Sequence, residues 1–305
     1  MSYHCGMKLL VTGSNGLLGQ KITDACRMRK EIELIATARI EDRYQPNTGY
    51  VFEVMDITNA TQVMEVMNRH RPDVVIHTAA MTNVDQCESD HAGCDAQNVE
   101  AVAHLVNACN SVGAHLVHVS TDFVFSGSTG PLDETAIPAP ISYYGKSKLR
   151  GEEIVKAESS SWCIVRAILV YGVVHDMSRS NFVLWAKNNL EQGKPIKVVD
   201  DQFRTATLAE DLADGCLRAA EQKATGIYHI GGPEFMSIYE MVLMVADFWH
   251  LDKSLISPVK SAAIAQPAQR PPITGFVIEK AKRDLGYQPH TFLEGLAILQ
   301  QQLKK

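Results

Sequence analysis

Several features that mark particular protein classes are absent from this sequence. Its 305 residues contain no apolar run approaching the roughly 18 residues that span a membrane, and the opening MSYHCGMK lacks the apolar core of a secretory signal. The seven cysteines form no CxxC pair and the eleven histidines form no HExxH or HxxxH cluster, which argues against a disulfide framework and a catalytic metal. A net charge of -6 argues against nucleic-acid binding. We therefore expect a cytoplasmic protein that acts on a small molecule, without membrane, nucleic-acid or metal partners.

The clearest positive signal is a glycine-rich turn between an apolar strand and a helix, in the stretch KLLVTGSNGLLGQ over residues 8–20. Gly13 permits the tight turn, Gly16 lets the backbone approach a pyrophosphate, and Gly19 lets the helix lie near the strand. The first N–H groups of that helix would point at the phosphates. This stretch predicts dinucleotide contacts from Gly13, Asn15, Gly16, Leu17, Leu18 and Gly19.

The end of the second predicted strand, IELIATAR, is where the adenosine ribose of a dinucleotide would lie. An acidic residue there favours NAD, whereas an arginine neutralises the 2′-phosphate of NADP. Arg39 and Arg43 stand at this position with Glu41 and Asp42 between them. The sequence therefore favours NADP(H) as the cofactor, with NAD(H) as the alternative.

Two further strand ends are predicted to contact the cofactor. Asp56 and Ile57 follow a strand over 50–54, where an adenine amino group would lie. Ala79 and Ala80 follow the apolar strand of PDVVIHTAAMT and leave room for the cofactor to pass.

Repeated alternation of strands and helices predicts an α/β fold with a Rossmann-type, doubly wound parallel sheet and a smaller C-terminal α/β substrate lobe. We assign residues 1–172 to the NAD(P)-binding domain and 173–305 mainly to the substrate lobe, with a segment of about 195–230 returning to the first domain. Within the second part, Ser237 followed by Glu240 predicts the N-terminus of a helix.

Tyr144 and Lys148 are four residues apart in a helical pattern, so their side chains share one helical face. A free phenol has a pKa near 10, and an adjacent ammonium, helped by the positive nicotinamide of an oxidised cofactor, is expected to bring that pKa towards neutrality. Thr121, at the end of the strand HLVHVST, could bond a substrate oxygen beside Tyr144. The three residues suit hydride transfer between a nicotinamide and a carbonyl or alcohol carbon. Tyr143 is the competing phenol, but the YGKSK frame selects Tyr144.

With these motifs the chain resembles the extended short-chain dehydrogenase/reductase family over nearly its whole length. TGSNGLLG matches the family's TGxxGxxG, and its Ser/Thr–Tyr–Lys triad maps onto Thr121, Tyr144 and Lys148. HVSTDFVFSG, PISYYGKSKLRGE, VVDDQFRTATLAEDLADG and AQRPPITGF resemble the dTDP-4-dehydrorhamnose reductase branch. That resemblance implies NAD(P)H-dependent reduction of the 4-keto group of a nucleotide-linked deoxysugar, with the tyrosine as general acid. It also implies a homodimer.

The expected substrate contacts are Asp122, Phe123 and Arg270, the last as a partner for the phosphate of the nucleotide sugar. Position 123 is Phe where the branch usually has Tyr, and Leu169 stands in RAILVYG where a Trp is often found. These departures leave the cofactor end intact and concern the choice of sugar.

Two other functions agree with the same motifs. The methionine adenosyltransferase β-subunit carries a STDYVF-like segment and a YGKTK-like frame, so a regulatory subunit that binds NADP without turnover is an alternative. A nucleotide-sugar epimerase is another, because it needs only the triad and a tightly held cofactor. A dehydratase is disfavoured, since Phe123 replaces the glutamate that this class places after Thr-Asp.

Overall fold

Short apolar strands alternate with amphipathic helices through most of the chain. The computed structural model describes residues 6–44, 47–175 and 181–304. The strands are β1 (Met7–Thr12), β2 (Ile32–Ala38), β3 (Val51–Val54), β4 (Val74–His77), β5 (His115–Thr121), β6 (Trp162–Ala167), β7 (Val170–Tyr171), β8 (Ile196–Val199), β9 (Phe203–Arg204), β10 (Thr207–Leu208), β11 (Gly226–Ile230), β12 (Met236–Ser237) and β13 (Ile256–Val259).

The helices differ widely in length. They are α1 (Leu17–Cys26), α2 (Ala60–His70), α3 (Val84–Ser89), α4 (His91–Asp95), α5 (Ala101–Val112), α6 (Tyr143–Glu158), α7 (Phe182–Glu191), α8 (Ala209–Glu221), α9 (Ile238–Phe248), α10 (Glu279–Leu285) and α11 (Phe292–Leu303). A π-helical segment, Ala96–Glu100, joins α4 to α5. Among the described helices, none combines the length and apolar composition needed to cross a bilayer.

Seven strands form one parallel sheet in the order β11-β6-β5-β4-β1-β2-β3. Alternate side chains of each strand face opposite layers, so Leu9 and Val11 join the core on the side of α1 and α8, whereas Leu10 joins the core on the side of α2 and α5. This is the order of a Rossmann-type sheet extended by one strand, and the prediction of a doubly wound parallel sheet is confirmed.

The C-terminal part of the chain is shared between the main sheet and a second core. That second core lies between α7, α9 and α11, and the capping box that Ser237 and Glu240 were expected to form begins α9. The segment expected to return to the main sheet at about residue 195 packs on that sheet only from Ala209, where α8 begins. The residues before it include β8, which pairs with β13 in a separate two-stranded sheet. The return to the main sheet also includes α10, whose Ala281 and Leu285 pack in the core of the main sheet.

A buried ion pair fixes α6 against the central sheet. Arg166 of β6 donates to both carboxylate oxygens of Glu152 on α6, at 2.9 and 2.7 Å, and the two side chains are 1% and 0% exposed. The Arg166 guanidinium also lies 5.0 Å from the centre of the Phe125 ring. Because Glu152 lies one turn beyond Lys148, this pair sets where α6 presents its N-terminal turns.

Replacing Glu152 by Ala should leave the Arg166 charge buried without a carboxylate and lower the free energy of unfolding by about 3–5 kcal/mol. Urea titration of the variant measures this loss. The control is Glu191→Ala, because Glu191 pairs with Lys187 on the surface of α7, where an ion pair is worth at most about 1 kcal/mol. Equal losses in the two variants would contradict the role given to the buried pair.

Candidate active site

A cleft of about 680 Å³ opens along the carboxyl ends of the parallel strands. In open α/β sheets this is the edge where ligands bind. The structure brings most of the predicted site residues together there. Those lining the cleft are Gly13, Asn15, Gly16, Leu17, Leu18, Arg39, Asp56, Ile57, Ala79, Ala80, Thr121, Asp122, Phe123, Tyr144 and Lys148. Gly19 and Arg270 are outside the lining.

The glycine loop is shaped by two close backbone approaches. Gly13 has φ +72°, and a Cβ atom there would lie 2.9 Å from the backbone of Ala79. A Cβ atom on Gly19 would lie 2.3 Å from the carbonyl oxygen of Gly13, so only glycine lets α1 start this close to the loop. No described side chain caps the first N–H groups of α1, and Leu17 and Leu18 line the cleft. These unpaired N–H groups fit a pyrophosphate.

Asn15 acts through the neighbouring loop. Its side-chain nitrogen donates to the carbonyl oxygen of Glu41 at 2.9 Å, and its oxygen accepts from the backbone nitrogen of Arg43 at 2.9 Å. Both amide ends are thereby used to hold the loop after β2 against the glycine turn. The structure thus gives Asn15 a positioning role at the cofactor end.

Two arginine side chains are free at the adenosine end of the cleft. Arg39 and Arg43 both line the cleft and are exposed, and neither guanidinium bonds to any residue that the structure describes. Asp56 is partly engaged, because one of its carboxylate oxygens accepts from the backbone and hydroxyl of Thr58 at 2.9 and 2.8 Å. The free guanidinium groups fit a phosphate on the adenosine ribose.

Thr121 and Tyr144 meet where β5 ends and α6 begins. A Cβ atom on Gly145 would lie 2.2 Å from the carbonyl oxygen of Phe123, so glycine allows the start of α6 to approach the end of β5. Tyr144 is 8% exposed and its ring meets that of Phe123 edge to face at 5.5 Å. Tyr143 stacks instead on His91, with ring centres 3.6 Å apart, and lies outside the cleft lining.

Without a cofactor in the cleft, the pKa of Tyr144 lies above its ordinary value, so the expected lowering by Lys148 and a nicotinamide stays a prediction. Burial raises the pKa of the Tyr144 phenol, and the nearby Asp122 carboxylate raises it further, while a hydrogen bond with Thr121 opposes the rise. Burial costs the charged phenolate more than the neutral phenol. Tyr144 is therefore protonated at neutral pH and can donate a proton.

Lys148 is buried one helical turn after Tyr144 on α6. Its Nζ donates to the carbonyl oxygen of Val119 at 2.8 Å, and burial lowers the pKa of Lys148 to about 8. Glu152 and Cys94 oppose that shift. The ammonium form is therefore present at neutral pH and is lost as the pH rises above about 8.

The predicted substrate residues behave differently from one another. Phe123 lines the cleft beside Tyr144. Asp122 also lines it, but its carboxylate accepts from Thr121 at 3.1 Å and from Thr274 at 2.6 Å, and lies 3.5 Å from Arg204. Burial raises the pKa of Asp122 and Arg204 opposes this rise. The geometry favours a structural role for Asp122 over the predicted substrate contact.

Arg270 lies away from the cleft lining because it has another partner. Its guanidinium pairs with Asp85 of α3 at 2.8 Å and holds the pKa of that carboxyl below its usual range. Asp85 also accepts from the backbone nitrogen of Ala268 at 3.1 Å. A phosphate that binds Arg270 must therefore compete with Asp85.

Some residues around the cleft could not be assigned from the sequence. Asn98 is buried; its side chain hydrogen-bonds the backbone of Met81 at 2.9 and 3.0 Å and donates to the hydroxyl of Ser147 on α6 at 3.1 Å. Leu169 lines the cleft with φ +38°, an uncommon conformation for a residue with a side chain. No local spacing signals either feature. Among the described residues, no group of three or more His, Cys, Asp or Glu side chains could hold a metal ion.

A Rossmann-type sheet with a glycine loop at one end of its cleft and Thr121, Tyr144 and Lys148 at the other defines the extended short-chain dehydrogenase/reductase class. Within that class, the model of the RmlD substrate binding domain family matches residues 7–305. The chain belongs to this family.

Curated relatives of the chain carry different descriptions. The probable low-salt glycan biosynthesis reductase Agl14 of Haloferax volcanii is 30% identical over 296 residues, covering 96% of this chain and 97% of that protein. The methionine adenosyltransferase 2 subunit beta of Xenopus tropicalis is 31% identical over 259 residues, covering 83% of this chain and 75% of that protein. Sequence similarity therefore extends to a reductase and to a subunit of another enzyme.

Solved structures of dTDP-4-dehydrorhamnose reductases are similar to this chain over nearly its whole length. A dTDP-4-dehydrorhamnose reductase of Clostridium acetobutylicum superposes with a TM-score of 0.87 at 32% identity, covering 98% of this chain and 100% of that chain. The dTDP-4-dehydrorhamnose reductase of Bacillus anthracis, solved in complex with NADP, gives a TM-score of 0.83 at 28% identity, covering 97% and 99%. The resemblance to this branch is confirmed at the level of fold and family.

Replacing Gly13 by Ala should weaken binding of NADPH by at least about tenfold, since the added Cβ atom would press on Ala79 and force a strained φ. Fluorescence titration with NADPH measures the affinity. Gly113→Ala is the matched control, because Gly113 also has a positive φ, at the end of α5, but its Cβ atom would meet nothing within 4 Å. An unchanged NADPH affinity in Gly13→Ala would contradict the assignment of the loop.

Proposed function

We propose that this protein is an NAD(P)H-dependent reductase of a nucleotide-linked 4-keto-deoxysugar, similar to dTDP-4-dehydrorhamnose reductase. The observation that carries the proposal is that the buried Tyr144 lines the same cleft as Thr121, Lys148 and the glycine loop. The family match over residues 7–305 and the similarity to two dTDP-4-dehydrorhamnose reductases support it.

Each residue of the triad has a separate role in the reduction of a carbonyl group. A nicotinamide bound in the cleft would supply the hydride. Thr121 orients the carbonyl oxygen of the substrate beside Tyr144, which donates its proton to that oxygen. Lys148 stabilises the phenolate left behind, because its ammonium lies on the same face of α6. Phe123 packs edge to face against the Tyr144 ring and contributes to the position of the ring.

We favour NADP(H) over NAD(H), because Arg39 and Arg43 line the cleft where the adenosine ribose would lie, and their guanidinium groups have no partner among the described residues. A homodimer and a cytoplasmic location remain predictions from the sequence.

Tyr144→Phe should lower the rate of NADPH oxidation with dTDP-4-keto-6-deoxy-mannose by about 10²–10⁴-fold, because the variant has no proton to donate. NADPH affinity should stay unchanged, which fluorescence titration checks. Tyr143→Phe is the matched control and should keep full turnover, since Tyr143 lies outside the cleft lining. Full turnover by Tyr144→Phe would show that the general acid is a different group.

Arg39→Ala should weaken NADPH binding by about tenfold or more while leaving NADH binding unchanged, because only NADPH carries the 2′-phosphate. Arg43→Ala is expected to act in the same direction. Arg283→Ala serves as the control, since Arg283 pairs with Asp284 away from the cleft. Equal losses for both cofactors would mean that Arg39 contacts a feature they share.

A regulatory subunit is the second candidate, favoured by the 31% identity to a methionine adenosyltransferase β-subunit over 83% of this chain. The wild-type protein would then bind NADPH, leave a panel of nucleotide keto-sugars unreduced, and copurify with an adenosyltransferase. An epimerase would convert its sugar without net consumption of NADPH.

A further inference from the structure

Three polar side chains cross the centre of the sheet beneath the cleft. Thr12 of β1, His77 of β4 and His118 of β5 are paired in register on adjacent parallel strands. The Thr12 hydroxyl and His77 Nδ1 are 2.7 Å apart, and the two imidazole rings are 5.3 Å apart. All three side chains are at most 1% exposed. The row therefore joins the strand that enters the glycine loop to the strand beside Lys148.

The row ends at the ammonium of Lys148. His118 Nε2 lies 3.5 Å from Lys148 Nζ, which also donates to the carbonyl oxygen of Val119 at 2.8 Å. An ammonium has three N–H donors. His118 Nε2 and the carbonyl oxygen of Val119 accept from two of these N–H groups. The third N–H group is left for the cleft that Lys148 lines.

Stability alone does not explain two histidines at this depth. His77 Nε2 and His118 Nδ1 have no partner among the described residues, although both are buried. Burial lowers the pKa of His77 to about 3 and that of His118 well below its usual value, so both rings are neutral. Unpaired buried nitrogens destabilise a fold, and apolar side chains would avoid that cost. When Nε2 of neutral His118 accepts from Lys148, its hydrogen lies on the unpaired Nδ1.

We propose that His118 is a positioning residue for Lys148: its Nε2 accepts from the ammonium and, with the carbonyl of Val119, holds Nζ so that one N–H faces the cleft. His77 and Thr12 hold the His118 ring from the side of the glycine loop. This inference deepens the proposed reductase function. The expected effect of His118 on turnover rests on that function.

The pH dependence of Lys148 follows from the groups that face it. Tyr144 and Glu152 lie one turn away on α6, Cys94 is on α4, and His118 and His77 are on the sheet. Glu152 is already paired with Arg166. Removing the His118 acceptor destabilises the charged ammonium, so the pKa of Lys148 should fall below its present value of about 8.

The test compares His118→Leu, which removes the acceptor, with His118→Gln, which restores one through its side-chain oxygen. Val117→Ala is the control for disturbed packing, because Val117 is the preceding residue of β5 and faces the opposite core. Two readouts are followed from pH 6 to about 10: the rate of NADPH oxidation with the keto sugar, and the ¹³Cε resonance of Lys148 in lysine-labelled protein, assigned by its loss in Lys148→Met.

In His118→Leu, the alkaline limb of the pH–rate profile and the midpoint of the Lys148 titration should both move to lower pH by about one unit or more. In His118→Gln and Val117→Ala both should stay near the wild-type midpoint. A wild-type midpoint in His118→Leu, or an equal shift in Val117→Ala or His118→Gln, would overturn the proposal. If the wild-type protein reduces no keto sugar, the reductase function fails, and the ¹³C titration alone decides the role of His118.

Discussion

The attachment of α6 to the central sheet is the constraint on which the site depends. Two contacts contribute to it: the buried bidentate Glu152–Arg166 pair, at 2.9 and 2.7 Å, and the 2.8 Å bond from Lys148 to the backbone of Val119. Both contacts join α6 to β5 or β6, the strands whose carboxyl ends form the substrate end of the cleft. A shift of α6 along its axis would therefore move Tyr144 away from Thr121.

Burial acts on the two ionisable groups of α6 in opposite directions. It raises the pKa of Tyr144 and lowers that of Lys148 to about 8, because it favours the neutral form of each. The protein alone therefore keeps the phenol protonated, which suits proton donation in a reduction. Positive charge elsewhere in the cleft would favour the phenolate, so proton release by Tyr144 depends on what the cleft holds.

The two ends of the cleft are prepared differently for a ligand. At the end formed by the glycine loop, no described side chain caps the first N–H groups of α1 or pairs with Arg39 and Arg43, so these groups can bind anionic groups. At the other end, Asp122 is bonded to Thr274, and Arg270, outside the cleft lining, is paired with Asp85. A ligand that binds Asp122 or Arg270 would therefore have to displace contacts that these side chains already make.

The sequence by itself determined the elements with local signals. An apolar run followed by spaced glycines marked β1 and α1, Ser237 and Glu240 marked the start of α9, and the four-residue spacing placed Tyr144 and Lys148 on one helical face. Tertiary structure alone decided the partners of Asp122 and Arg270, which lie 152 and 185 residues away in the chain. It also decided the direction of the Tyr144 pKa and the contact of His118 with Lys148. Burial and long-range pairing arise only when distant elements pack together, so they leave no periodicity or spacing in the chain.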